Sequence, residues 1–404
     1  LIGTPIELYT NEMRNQIMQY IKTSLTIILI AIVANSNAGS ALTTLVDFYG
    51  HNVRITFDKQ LSHLQFYTYD QREIDVKLGY YRNANLTASA YSLRKNILYY
   101  RLDGAATTIL ADKYATQITK SKNSNQQVFV KYLMMKELGF DVILTKTGTK
   151  LNCLGNLSFT PGRYIFIRYN GKNYKDLDFK NRKNYGKHLI YRDAKRTIKR
   201  IQRNTRSVPA INARQSSKRI QFTFGKEKHT ITAQSNQSVT EFLGDLPLFE
   251  VGREFTQIQM SNAMDSTLMK YLRAEIYDKE VQEQVRFLLA FVQQVVPYGS
   301  DYDKYGEERF YYPEETIMAS SADCEDKAML LAYLCRDILH LNTVALYFQK
   351  DEHLSLGIEI PNYDPHGSFG YKGKRYVSCE PTANYPRLTQ SQFKLERIDQ
   401  VIEL

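Results

Sequence analysis

The strongest constraint on the fold is an internal repeat. The segment Lys131–Thr145, KYLMMKELGFDVILT, runs parallel to Ala332–Tyr347, AYLCRDILHLNTVALY. A second pair matches more closely. Tyr169–Lys180, YNGKNYKDLDFK, aligns with Tyr371–Thr382, YKGKRYVSCEPT, so that the Tyr, Gly-Lys, Tyr and acidic positions coincide at an offset of 202. The order of elements agrees as well. A repeat at this spacing is longer than a solenoid unit and points to two tandem copies of one domain.

The elements inside each copy are legible from pattern. Asn52–Lys59 alternates like a strand, and helices are expected around Ser92–Tyr100 and over Ala105–Ile118. Gln126–Phe140 reads as a helix that stops at Gly139, and Asn170–Lys172 is a hairpin turn signature. In the second copy, Arg219–Ala233 reads as a strand hairpin and Lys279–Val296 as an amphipathic helix closed by Pro297. The segments NTVALYFQ, LSLGIEI and KRYVSCEP read as strands.

Charge divides the chain. From Glu241 to Leu404 there are 16 Lys and Arg against 27 Asp and Glu, a net of −11, whereas the whole chain carries +11, which leaves +22 on residues 1–240. Opposite signs suggest different jobs or a mutual interface. Residues 192–219 hold ten Lys or Arg, one acid (Asp193) and Pro209, and read as a linker or exposed arm that could meet an anionic envelope surface. Nucleic acid is not an expected partner, because no recognition motif is present.

Residues 1–38 read as an export signal with an upstream extension. Arg14 and Lys22 precede the uncharged run Leu25–Ala34, and Ser36 and Ala38 stand at a signal-peptidase spacing. The run is about half of the roughly 20 residues a spanning helix needs, so no transmembrane span is expected in the mature chain. Four scattered cysteines do not make a disulfide framework, and no Cys/His cluster suggests zinc. Asp301–Glu308, DYDKYGEE, has some calcium-loop character, but Tyr305 stands where an oxygen ligand belongs. No metal or cofactor is expected.

One cysteine sits among acids, in Ser320–His340, SSADCEDKAMLLAYLCRDILH. Read as a helix start, the acids serve the first turn, where the helix dipole favours negative charge. Cys324 then heads an inward stripe with Ala328, Leu331, Cys335 and Ile338. A thiol nucleophile needs a base, and the base needs an orienting group. His353 stands at a strand start, and Glu380 ends the next long strand. His340 is too far along the same helix, and His366 lies in a polar loop.

The run ADCEDKAMLLAYLC, then His353 at a strand start, then YVSCEPT, resembles the transglutaminase-like superfamily of papain-type thiol enzymes. The resemblance covers about residues 271–384 and, weakly, the first copy. It implies an α+β fold of two tandem transglutaminase-like domains, each with helices packed on an antiparallel sheet. The units would be a degenerate copy at 39–180, a basic linker at 181–215 and a catalytic copy at 216–404. It implies Cys324 as nucleophile, His353 as general base and Glu380 as orienter, with Glu where Asp is usual. Trp is absent, so the Cys324 backbone N–H and Tyr298 are the expected oxyanion donors. In the first copy the corresponding positions are Asn123, Lys150 and Asp178, which leaves only the acid. The implied activity is an exported, periplasmic or envelope cysteine peptidase or amidase acting on protein or peptide substrates. The alternatives are an acyl-transferring crosslinker and a non-catalytic envelope interaction protein.

Overall fold

The computed structural model describes residues 41–83, 86–119, 124–159, 166–179, 187–204, 208–246, 252–306, 309–389 and 394–404. The expected export signal and Asn123 lie outside them. The fold is α+β and contains two five-stranded antiparallel sheets.

The first half opens with the hairpin β1 (Ala41–Phe48) and β2 (His51–Asp58), whose turn places Tyr49 and Gly50 at positive φ. Helices α1 (Gln71–Asn83), α2 (Leu86–Tyr99), α3 (Gly104–Thr119) and α4 (Ser124–Glu137) follow. The last ends as expected: Gly139 has φ +88° and its N–H donates to the Lys136 carbonyl, a conformation that glycine adopts without strain. Strands β3 (Val142–Thr147), β4 (Lys150–Gly155), β5 (Phe166–Tyr169), β6 (Lys172–Asp176) and β7 (Leu189–Ile190) form a sheet in the order β5-β6-β4-β3-β7.

The second half repeats this plan. A long hairpin, β8 (Ser216–Phe224) and β9 (Glu227–Ser235), leads into helices α5 (Gln237–Gly244), α6 (Arg253–Gln257), α7 (Lys270–Ile276), α8 (Val281–Val295), α9 (Asp301–Tyr305), α10 (Pro313–Met318) and α11 (Cys324–Leu339). Strands β10 (Thr343–Phe348), β11 (His353–Ile358), β12 (Ser368–Tyr371), β13 (Lys374–Cys379) and β14 (Gln400–Glu403) then form a sheet in the order β12-β13-β11-β10-β14. Strand for strand, this is the order of the first sheet. Both β5-β6 and β12-β13 turn through a residue pair at positive φ, Asn170-Gly171 and Lys372-Gly373, as a type I′ hairpin requires.

Helix α11 is more central than its sequence suggests. An amphipathic stripe was expected, but Asp326, Lys327, Met329, Leu330, Ala332, Tyr333 and Leu334 are buried along with Cys324, Ala328, Leu331 and Cys335. Glu325 in the first turn and the last turn, including Ile338, are partly exposed. The helix is covered on one side by α8 and on another by β11, with α6 and α10 against its start.

The basic tract is not an exposed arm. Residues 187–204 lie along the first sheet and its helices. They supply β7, and Lys199 and Ile201 make parallel bridges to Phe140 and Leu157. Ile201 is fully buried. Arg203 pairs with Asp103 at 2.8 Å, and Lys195 pairs with Glu137. Composition marked the tract as solvated because it is rich in charge; its acidic partners are supplied by distant helices that no local pattern shows. No described helix is long and apolar enough to cross a membrane.

Candidate active site

The site is built at the start of α11. Asp323 has extended backbone and accepts the Asp326 N–H, an N-cap that makes Cys324 the first helical residue. Tyr298 bridges in parallel to Ala322, with the Gly299 N–H on the Ala322 carbonyl at 3.1 Å. The approach is close: a Cβ on Gly299 would stand 2.7 Å from the Ser321 Cβ. Glycine is needed there to bring Tyr298 beside the cysteine.

Strand β11 crosses the same end of the helix. His353 is its first residue and pairs with Phe348 across β10. The backbone N–H of the next residue, Leu354, faces the Cys324 sulfur. Strand β13 runs beside β11, with Leu356 opposite Cys379, so Glu380 emerges next to His353. His353 Nε2 and Glu380 Oε2 are 2.9 Å apart, with the two residues only 7% and 2% exposed. With the Nε2 proton directed at the carboxylate, Nδ1 is the basic nitrogen. The Glu380 carboxylate also accepts from the Thr382 N–H at 3.1 Å and from the Thr382 hydroxyl. Burial works against its ionisation, but the bonds from His353 and Thr382 outweigh burial and hold its pKa below the usual range.

The thiol is neutral at rest. Cys324 is 3% exposed and donates its S–H to Glu325 Oε2 at 2.8 Å. Burial pushes its pKa far up, the Glu325 carboxylate adds to this, and the Leu354 N–H pulls the other way. Burial and the neighbouring acid together thus hold the thiol protonated. Only transfer of that proton to another base would free the sulfur as a thiolate.

Tyr298 is 60% exposed, so it lines the mouth of the site rather than its floor. Burial and then the nearby Cys324 push its phenol up to about 12. It remains a hydrogen-bond donor at neutral pH, which an oxyanion donor must be.

Sequence reasoning missed the second layer. Gln293 of α8 donates from Nε2 to the Glu380 carbonyl at 2.9 Å and to the Tyr385 carbonyl at 3.0 Å, clamping the loop that carries the carboxylate. Thr382 lies within the quoted YVSCEPT, but its role depends on how that loop turns. His366 is exposed in its loop and His340 caps the far end of α11, so neither joins the site.

The first copy uses the same positions differently. Lys150 begins β4 opposite Thr147, as His353 begins β11 opposite Phe348, but Lys150 is exposed. Asp178 is exposed too. The buried amide of Asn125 accepts the Leu151 N–H at 2.9 Å and donates to the Thr149 carbonyl at 2.8 Å. In the second copy the matching N–H, of Leu354, faces a thiol. A structural amide thus stands where the second half has the thiol.

Compared with known proteins, the chain matches no family model, no curated protein and no solved structure.

Proposed function

We propose that the protein is an exported transglutaminase-like thiol enzyme acting on amide bonds of protein or peptide substrates. The observation that carries the reading is the buried His353–Glu380 pair at 2.9 Å beside a helix-start cysteine, Cys324, whose sulfur faces the Leu354 N–H. Glu380 holds the imidazole with Nδ1 as base. His353 takes the Cys324 proton, and the sulfur attacks the substrate carbonyl to form a thioester. The imidazolium returns that proton to the leaving amine. The Cys324 backbone N–H, unclaimed within the helix at its first position, and the Tyr298 hydroxyl are suited to the oxyanion. Water as acceptor releases an acid, the outcome of a peptidase or amidase; an amine acceptor leaves a crosslink.

Labelling the full chain with a peptide-like thiol-reactive probe tests this near neutral pH. Cys324 is expected to react at least about tenfold faster than Cys335 or Cys379, and His353→Ala is expected to abolish that difference. A fluorescent amine included with a peptide substrate separates transfer from hydrolysis. Equal labelling of the three cysteines, unchanged in His353→Ala, would sink the enzyme reading. The closed thiol, donating to Glu325, favours that second outcome, in which the protein is a non-catalytic envelope interaction protein built on the same scaffold.

A further inference from the structure

One residue of the site has no part in the steps above. In the first turn of α11, Cys324, Asp326 and Lys327 are buried, and only Glu325 reaches solvent. Its Oε2 accepts the Cys324 S–H at 2.8 Å. Among the described residues, its Oε1 accepts no hydrogen bond and the carboxylate has no ion pair. A partly buried carboxylate without a counter-ion calls for one from outside the chain.

The cations nearby are committed elsewhere. Lys327 Nζ donates to the carbonyls of Val292 at 3.4 Å and Gln293 at 3.0 Å, at the end of α8. Lys304 donates to the Tyr311 hydroxyl at 3.3 Å and to Ser320 Oγ at 3.0 Å, and Arg309 faces Glu315 at 3.6 Å. The remaining charged neighbours are acids. Asp301, Asp323 and Asp326 gather behind the helix start, one oxygen of each within 4.8 Å of the others. Burial and then neighbouring charges, Glu325 among them, push the pKa values of Asp301 and Asp326 up.

An aromatic ring stands in front. Tyr298 is exposed at the mouth, and Glu325 is close enough to join burial, Cys324 and Asp323 in raising its phenol. A carboxylate beside an exposed ring is a pairing that receives an ammonium or guanidinium group, by charge-assisted hydrogen bonds and by cation–π contact.

We propose that Glu325 is the specificity-determining residue of the site: it docks a cationic side chain of the peptide substrate, and the ion pair so formed releases the Cys324 S–H. The inference rests on the thiol-enzyme reading and names its substrate class. In the free protein the thiol is locked on Oε2, while Oε1 is open to the incoming cation. Once paired, the carboxylate is a poorer acceptor. The S–H bond then breaks with its proton passing to His353 and the electron pair staying on sulfur, and Glu325 remains ionised throughout. A lock of this kind keeps a buried thiol unreactive until a substrate of the right charge arrives.

The full chain is treated near neutral pH with three peptidyl chloromethyl ketones that differ only in the residue beside the reactive group: Lys, norleucine or Glu. Each forms a C–S bond with loss of chloride, and the modified cysteines are mapped by mass. The Lys probe is expected to modify Cys324 at least about tenfold faster than the norleucine probe, and the Glu probe more slowly than either. Glu325→Gln keeps an oxygen for the S–H but loses the charge, so the Lys-to-norleucine ratio should fall to about 1. Glu325→Ala serves in its place if that variant does not fold. Asp303→Asn, which removes an exposed acid of α9, should keep the preference. A wild-type ratio near 1, with Cys324 still outpacing Cys335 and Cys379, would overturn this inference and leave the enzyme reading standing. A preference retained without Glu325, or lost equally in Asp303→Asn, would assign it to the general negative field and overturn the inference too. Cys324 reacting no faster than the other two cysteines with any probe would bring down both readings.

Discussion

Residues of one type diverge widely here because burial and partners differ. Glu380 is held ionised by His353 and Thr382. Glu315 is buried at the start of α10, where burial pushes its pKa up to about 7 against the pull of the Tyr312 N–H and Arg309. The consequence for stability has a definite sign. A carboxyl whose pKa is higher folded than unfolded binds more protons in the folded state between the two values. Its contribution is full below the unfolded pKa of about 4.5 and is lost as pH rises through about 7. Unfolding free energy measured in urea should therefore fall over that window, and Glu315→Gln should flatten the fall. The carboxamide oxygen can still accept the Tyr312 N–H, which Glu315 Oε2 accepts at 2.9 Å. A variant that keeps the wild-type slope would show that another group is responsible. Cys324, His353 and Glu380 stood out in the sequence because each stands at the end of an element, where side chains from different elements converge. Gln293 and Asp326 were not. Their importance rests on which backbone or carboxylate comes to meet them, and sequence spacing carries no record of that.

Elements were read well where local chemistry sets them. The Asn170-Gly171 turn, the Gly139 stop and the helix start at Cys324 each depend on a few adjacent residues, and each appears where expected. Strand β4 was not read, although Lys150 had been aligned with His353. Short edge strands such as β7 and β14 were not read either, because pairing rather than pattern defines them. The docking of residues 187–204 is an interaction between elements and makes its own prediction. A Cβ on Gly104, at the start of α3, would stand 2.6 Å from the Gln202 backbone nitrogen and 2.9 Å from its carbonyl oxygen. The Ala105 N–H bonds that same carbonyl at 3.0 Å. Gly104→Ala should cost about 1–3 kcal/mol by forcing the two backbones apart. It should also speed amide exchange around residues 199–202. An unchanged urea midpoint would argue against this packing.

At the scale of the whole molecule, the two halves share one interior. A contiguous apolar core runs from Val46 and Tyr49 of the first half through Phe242 of α5 to Cys324, Ala328 and Leu354 of the second. The seam is also polar. The Tyr49 hydroxyl donates to Asp245 at 2.8 Å, Ser238 Oγ donates to the Tyr49 carbonyl at 2.7 Å, and Arg214 pairs with Glu241 at 2.8 Å. The opposite net charges of the halves thus have a local counterpart at their junction. Phe242 is fully buried and packs edge-on against Tyr49 at 5.6 Å. Phe242→Ala should cost about 3–5 kcal/mol and lower one shared calorimetric transition. Two separate transitions, with only one shifted, would show that the halves unfold independently. The sequence by itself determined the α+β class and singled out the three end-of-element residues of the candidate site, because periodicity, turns and caps are short-range chemistry. Only the tertiary structure decided that the basic tract is docked, that the thiol rests on Glu325, and that three aspartates from two helices meet behind it. Those outcomes depend on contacts between residues far apart in the chain, where burial sets the energy of each charge.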